Sequence, residues 1–191
     1  MKISKTSDTR QNIVFQSKLE DLPGGLCISV ADLTQAAVEV GTPVGKDTNG
    51  LGHVIKTAKM QANATNSATD YRVEKGHNFK VGNFFTSGLL KKAFAITAIT
   101  TTETAYDTIT LGTTLGVAVS EGDVMLEALA QATGNTSAYK YTPVGLVGMA
   151  FDVEALDNPF TQVVVRGSVI ESLCPPIHSD IKTTLSHIRF V

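Results

Sequence analysis

Four histidines and two cysteines are the residues of this chain best suited to metal binding or catalysis, and their spacing is the first thing to test. His53, His77, His178 and His187 form no H-x-x-x-H pair, and Cys27 and Cys174 no C-x-x-C pair, so the spacing of a zinc site is missing. His178 and His187 would fall on roughly opposing sides of a helix, given its period. Cys174 stands before Pro175-Pro176 without the local signature of a cysteine nucleophile, and serines and threonines are too numerous to single one out. Asp152, Glu154 and Asp157 cluster, but around a turn, where acids are ordinary solvated residues. Gly145-Leu146-Val147-Gly148 and Gly112-Thr113-Thr114-Leu115-Gly116 pair glycines without the G-x-G-x-x-G or P-loop pattern, and no Lys-Ser/Thr follows to meet a phosphate. These glycines read as relief of crowding at bends and bulges. The expectation is a protein that is no enzyme, with no cofactor and no metal.

Composition narrows the class further. The chain has 191 residues, 42% of them hydrophobic and only 18% charged, with a formal net charge of −2. A chain this long forms one large domain or two small ones and buries roughly 70% of its unfolded surface. No run of like charges exceeds two residues, as at Lys91-Lys92, so charge-driven nucleic-acid binding is not expected. Threonine and alanine take the place of the usual Lys/Glu surface, which suits sheets that pack against other protein. Met1-Lys2-Ile3-Ser4-Lys5-Thr6 has basic residues with no apolar stretch behind them, unlike a signal peptide. No apolar run approaches the ~20 residues of a membrane span, so no membrane partner is expected. With no secretion signal, two buried thiols are the expectation for the cysteines rather than a disulfide. Synthesis in a cytoplasm follows.

The elements that must position any site read as β. Thr142 to Leu173 carries the clearest instructions: a run from Pro143 to Val153, punctuation at Leu156-Asp157-Asn158-Pro159, and a second run from Phe160 to Ile170. Its β-branched content predicts two strands joined by a tight turn at the centre of the domain. Val163, Val165 and Val169 are expected on one face, with Val164 marking a stretch buried on both faces. Leu22-Pro23-Gly24-Gly25-Leu26 signals a turn, and Asn49-Gly50 a hairpin. Residues 53 to 60 read as one extended segment. Phe94 to Ile99 and Tyr106 to Leu111 alternate in polarity and predict an antiparallel hairpin, with Phe94, Ile96 and Ala98 on one face. Val124 to Leu129 fits either strand or helix, and its position after the Glu121-Gly122-Asp123 turn favours strand. Ile177, Ile181, Leu185 and Ile188 form one helical stripe after Pro175-Pro176, predicting an amphipathic helix from about 176 to 187. The fold class is therefore mainly β, an antiparallel β-sandwich or barrel-like domain with one short C-terminal α-helix. Residues 1–20 form an N-terminal arm or edge strand, and 21–191 the β-rich domain.

In order along the chain, Leu22-Pro23-Gly24-Gly25-Leu26, Val40-Gly41-Thr42-Pro43-Val44 and Pro143-Val144-Gly145-Leu146-Val147 resemble tailed-phage head decoration and head-fibre proteins. The ending, Val163-Val164-Val165-Arg166-Gly167-Ser168-Val169 followed by Leu173-Cys174-Pro175-Pro176 and a short helix, adds to the likeness. The resemblance covers most of residues 22 to 191, and because the chain is longer than the smallest such proteins it implies that 55–130 is an inserted or outward-facing subdomain. It implies an auxiliary virion protein on the capsid exterior, bound to the major capsid protein and assembled as a homo-oligomer, a trimer in many relatives. Such a protein decorates and stabilises the head or forms the base of a head fibre. Ile13, Val14 and Phe15, the one apolar clump of the arm, are the expected capsid contacts. The alternative is a carbohydrate- or cell-surface-binding β-module of a phage fibre, suggested by the polar loops 61–70 and 134–138. The absence of tryptophan counts against it.

Overall fold

Short runs of β-branched and aromatic residues, cut by Gly, Pro and Asn, dictate short strands. The computed structural model describes residues 13–153 and 158–191. The chain begins with β1 (Phe15–Asp21), then turns at Leu22-Pro23-Gly24-Gly25 into β2 (Leu26–Cys27). Gly24 and Gly25 take φ of +76° and +60°, and a Cβ at Gly25 would lie 2.2 Å from the Phe160 ring. Only glycine fits there. β3 (Ala37–Val38) and β4 (Pro43–Lys46) follow, and β5 (Gly52–Val54) pairs with β4 as a hairpin. Asp47 closes that hairpin: its Oδ1 accepts from the amides of Asn49 and Leu51, both at 2.9 Å.

The chain then crosses into a second sheet, built from β6 (Thr57–Lys59), β7 (Asp70–Glu74), β8 (Phe84–Thr86), β9 (Ala93–Thr100), β10 (Tyr106–Leu111) and β11 (Val124–Ala128). The strand order is β6-β11-β8-β9-β10-β7, every pairing antiparallel. Its two ends meet through a Met60–Val73 bridge and the Gln61 amide donating to Arg72 O at 2.9 Å, closing the sheet into a small barrel. Tyr71, Val73, Phe79, Phe85, Ile96, Ile109 and Met125 fill it. Phe85 is the hub, its ring 5.6 Å from Tyr71 and 5.2 Å, edge-on, from Phe79. The buried Tyr71 hydroxyl donates to Ala68 O at 3.0 Å, as a phenol in a core must.

On its return the chain adds β12 (Thr142–Val147), β13 (Phe151–Asp152), β14 (Phe160–Thr161) and β15 (Val163–Val169). A 3-10 turn at Glu171–Leu173 leads to α1 (Ser179–Thr184) and β16 (Ile188–Phe190). The first sheet runs β1-β15-β12-β4-β5, with β16 added parallel to β15. Its inner strands are buried on both faces. Val163 and Val147 join Leu26, Ile28, Val38, Val44 and Val54 on one side, while Val164 and Leu146 join Phe15, Ile177, Ile181, Leu185 and Ile188 on the other. Leu126 of β11 packs into that second cluster, so barrel and sheet share a core at their junction.

The molecule is mainly β, with antiparallel sheets and one short helix near the C-terminus. Several local expectations need correction. The β12–β15 connection is no tight turn, because β13 and β14 within it pair with β3 and β2. Val163 and Val169 face different clusters, since irregular pairing with β1 breaks the alternation along β15. Residues 53 to 60 form two strands in two sheets, broken at Ile55-Lys56. Of the barrel residues expected on one face, Ile96 is buried and Phe94 packs against the core, but Ala98 is exposed. The helix is shorter than its apolar stripe, starting only after His178, the N-cap, whose backbone is still extended. Leu185 ends it, and Ile188 serves a strand instead, because β15 offers an unpaired edge there. Cys27 is exposed rather than buried, and both cysteines are free.

Candidate contact surface and buried ionic seam

The three residues expected to meet a shell part company. Ile13 is 72% exposed, whereas Val14 and Phe15 are buried in the core beneath α1. Val14 O accepts from the Ile170 amide at 2.8 Å, and Phe15 sits opposite Val169 in the β1–β15 ladder. Their side chains belong to the sheet, so of the three only Ile13 is available to a partner. Residues 1–12 of the expected arm lie outside the described residues.

Sequence reading missed a second apolar surface. Phe160 and Met149 are each 60% exposed, and the exposed Cys27 sits opposite Phe160 in the β2–β14 pair. The Thr161 hydroxyl donates to Met149 O at 2.8 Å, and Lys18 Nζ of β1 donates to Gly148 O at 2.7 Å, so these residues share one end of the first sheet. Gln162 binds Asp21 across the same surface. The signal was present: an aromatic directly after Asn158-Pro159 starts a strand at its rim.

The more unusual feature lies between sheet and barrel. Lys56, on the crossover between β5 and β6, and Glu127, on β11, are each only 2% exposed. Their backbones are tied, Glu127 N donating to Lys56 O at 3.0 Å. Lys56 Nζ donates to Asn83 Oδ1 at 2.9 Å, and the same oxygen accepts from the Lys80 amide at 2.9 Å. Glu127 Oε1 accepts from Lys140 Nζ at 2.9 Å and stands 3.8 Å from Lys56 Nζ. Lys140 reaches Asp32 at 3.9 Å. Glu127 Oε2 is buried with no hydrogen-bond partner among the described residues. Burial lowers the Lys56 pKa, and the attraction of Glu127 and Asp32 offsets this only in part. Burial also disfavours the Lys140 ammonium, but there the hydrogen bond and charge of Glu127 win and the pKa rises. The single buried carboxylate therefore serves Lys140 first. A cleft of about 340 Å³, walled by Val54, Ile55, Thr57, Pro175 and Pro176, reaches Lys56 from the surface.

The histidines are scattered. His53 stacks on Tyr141 with ring centroids 4.0 Å apart and lies 3.5 Å from Asp47. The His77 side chain is 6% exposed, its Nδ1 accepting from the Phe79 amide at 3.2 Å and its Nε2 3.4 Å from Asp107, which Lys75 holds at 2.6 Å. Desolvation lowers the His77 pKa, with Asp107 opposing and Lys75 assisting. His178 accepts from the Asp180 amide at 3.0 Å, and Asp180 in turn accepts from the Leu89 amide at 2.7 Å, pinning α1 to the barrel. Burial pushes the Cys174 thiol up to about 11, far from a nucleophile's range. Among the described residues, no three His, Cys, Asp or Glu side chains gather as metal ligands, and no helix is long and apolar enough to cross a membrane. Glu154 and Asp157 of the acidic turn lie outside the described residues. Set beside protein-family models, curated proteins and solved structures, the chain matches none of them.

Proposed function

We propose that the protein is a structural component of a tailed-phage virion, bound in many copies to the outer surface of the capsid, which it decorates and stabilises. The observation that carries this reading is where the resembling segments fall. Val40–Val44, Pro143–Val147 and Val163–Val169 are far apart in sequence, yet they supply β4, β12 and β15, adjacent strands of the first sheet. The Leu22–Leu26 turn abuts the same sheet through Leu22 N donating to Val163 O at 2.7 Å. The likeness thus belongs to one spatial unit. The barrel closes on itself beside that sheet and takes the outward side in this reading.

Decoration relies on many modest contacts repeated by symmetry, so retention comes from multivalency and from self-association as a homo-oligomer. Ile13, beside the Val169 end of β15, and Met149 and Phe160, beside its Val163 end, supply apolar surface for the shell. Isolated surface substitutions there leave folding nearly untouched, within about 0.5 kcal/mol. The test is co-sedimentation with undecorated shells of the major capsid protein. The wild-type chain should pellet to a saturating ratio near one per shell subunit or per local trimer, and Ile13→Asp with Phe160→Ser should weaken pelleting. Failure of the wild-type chain to pellet overturns the proposal, as does selective, strong binding to glycans in its place.

A further inference from the structure

The buried seam has the makings of a covalent bond. We propose that Lys56 and Asn83 are the two ends of an intramolecular isopeptide bond, formed within the folded chain with the Glu127 carboxylate as proton carrier. Three features of the geometry separate this from an ordinary buried ion pair. First, Lys56 Nζ lies closer to the Asn83 amide oxygen, at 2.9 Å, than to the Glu127 carboxylate, at 3.8 Å. A structural pair in a dry interior closes onto the carboxylate, because only charge-assisted contact offsets the desolvation of both groups. Second, Glu127 Oε2 has no partner among the described residues although Glu127 is 2% exposed, which leaves an acceptor free to take a proton. Third, the Asn83 carbonyl oxygen receives two donors, Lys56 Nζ and the Lys80 amide at 2.9 Å, which polarise its carbon towards attack.

The chemistry balances without any added reagent. Lys56 acts as the neutral amine, the form that burial favours and that Lys140 helps maintain by occupying Glu127 Oε1. Its Nζ lone pair forms a bond to Cγ of Asn83, and the carbonyl electrons move onto Oδ1, held by the Lys80 N–H. Glu127 removes a proton from Nζ and delivers one to Nδ2 of the former amide. The Cγ–Nδ2 bond breaks, the carbonyl re-forms, and ammonia leaves; nothing is oxidised or reduced. The cleft beside Lys56 gives ammonia a route to solvent. The product ties the crossover that enters the barrel to the turn before β8, closing a covalent loop inside the barrel.

Intact-mass measurement of the full-length protein, followed by fragmentation of its proteolytic peptides, tests the bond directly. The expected result is a chain lighter than its sequence by the mass of ammonia, about 17 Da, with a branched peptide joining Lys56 to Asn83. Lys56→Arg and Asn83→Ala should restore the full sequence mass, and Glu127→Gln should do so while keeping the β-sheet circular dichroism. If Glu127→Gln fails to fold, Asn83→Asp serves in its place: the same attack then expels water, and the deficit becomes about 18 Da. A wild-type chain that keeps its full sequence mass after prolonged incubation folded overturns the proposal. So does a 17 Da deficit that survives in Asn83→Ala.

Discussion

The barrel and the first sheet solve the same problem, burying strands, in opposite ways. All six barrel strands come from one stretch of chain, residues 57–128, and β6, β7 and β10 each bury one face and leave the other more open. In β10 this alternation is complete: Asp107, Ile109 and Leu111 point inward and Tyr106, Thr108 and Thr110 outward. The first sheet recruits strands from both ends of the chain, pairing Phe15 with Val169, and buries its central strands on both faces. Such pairing waits on closure of a long loop, so the barrel is expected to form first. The edges differ too. The barrel closes on itself, whereas β1 has no second strand partner among the described residues, an edge guarded by Lys18, Glu20 and Asp21 and by irregular pairing.

Leu126, the shared core residue, predicts that the two regions nevertheless unfold as one. The largest effect tests this. Phe85→Ala removes the hub of the barrel and should cost about 4 kcal/mol, read by chemical denaturation, with fluorescence and circular dichroism of the whole molecule shifting together. Separate transitions would break the coupling. Next comes the seam. Glu127→Ala leaves Lys140 without its buried acceptor and should cost about 3 kcal/mol. A Glu127→Ala protein as stable as wild type would mean that the seam does not fasten the two regions. On the sheet side, Gly50→Ala should cost about 1 kcal/mol purely through backbone strain, since Gly50 has φ of +85° and open space around it.

The gentlest probe is pH, and it acts on the barrel. His77 has a folded pKa below its unfolded value of 6.5, so the fold favours the neutral ring. Stability from this residue is complete above about pH 6.5 and declines as the pH falls from there towards the folded pKa. The imidazole then has to give up accepting from the Phe79 amide. Comparing unfolding of wild type and His77→Gln between pH 7.5 and 5 should show a steeper decline in wild type; parallel curves would rule His77 out as the sensor.

These contrasts also explain what the sequence made legible. Strict alternation in Tyr106–Leu111 foretold a one-sided strand and its hairpin with β9, because half-buried strands write their pattern in period two. The stripe Ile177, Ile181, Leu185 and Ile188 named four core residues correctly, though not the element each would join. Two-sided burial erases periodicity, so β15 gave a central strand but not the facing of Val163 and Val169. The satellite strands β2, β3, β13 and β14 are two residues each, too short for any pattern. At the candidate contact surface, nothing in Ile13-Val14-Phe15 distinguishes a core clump from a binding clump. The seam was invisible for another reason. Lys56, Asn83 and Glu127 come from three separate segments, and a lysine after Val54-Ile55 looks like any strand-edge charge until the barrel closes over it.

Quantifying this chain in purified tailed-phage particles assembled in its presence tests the proposed role most directly. A decorating protein should be present at a fixed ratio near that of the major shell protein, and a reconstruction should place it outside the lattice on a local symmetry axis. Particles devoid of the chain, or carrying only a few copies at a single vertex, would contradict that role.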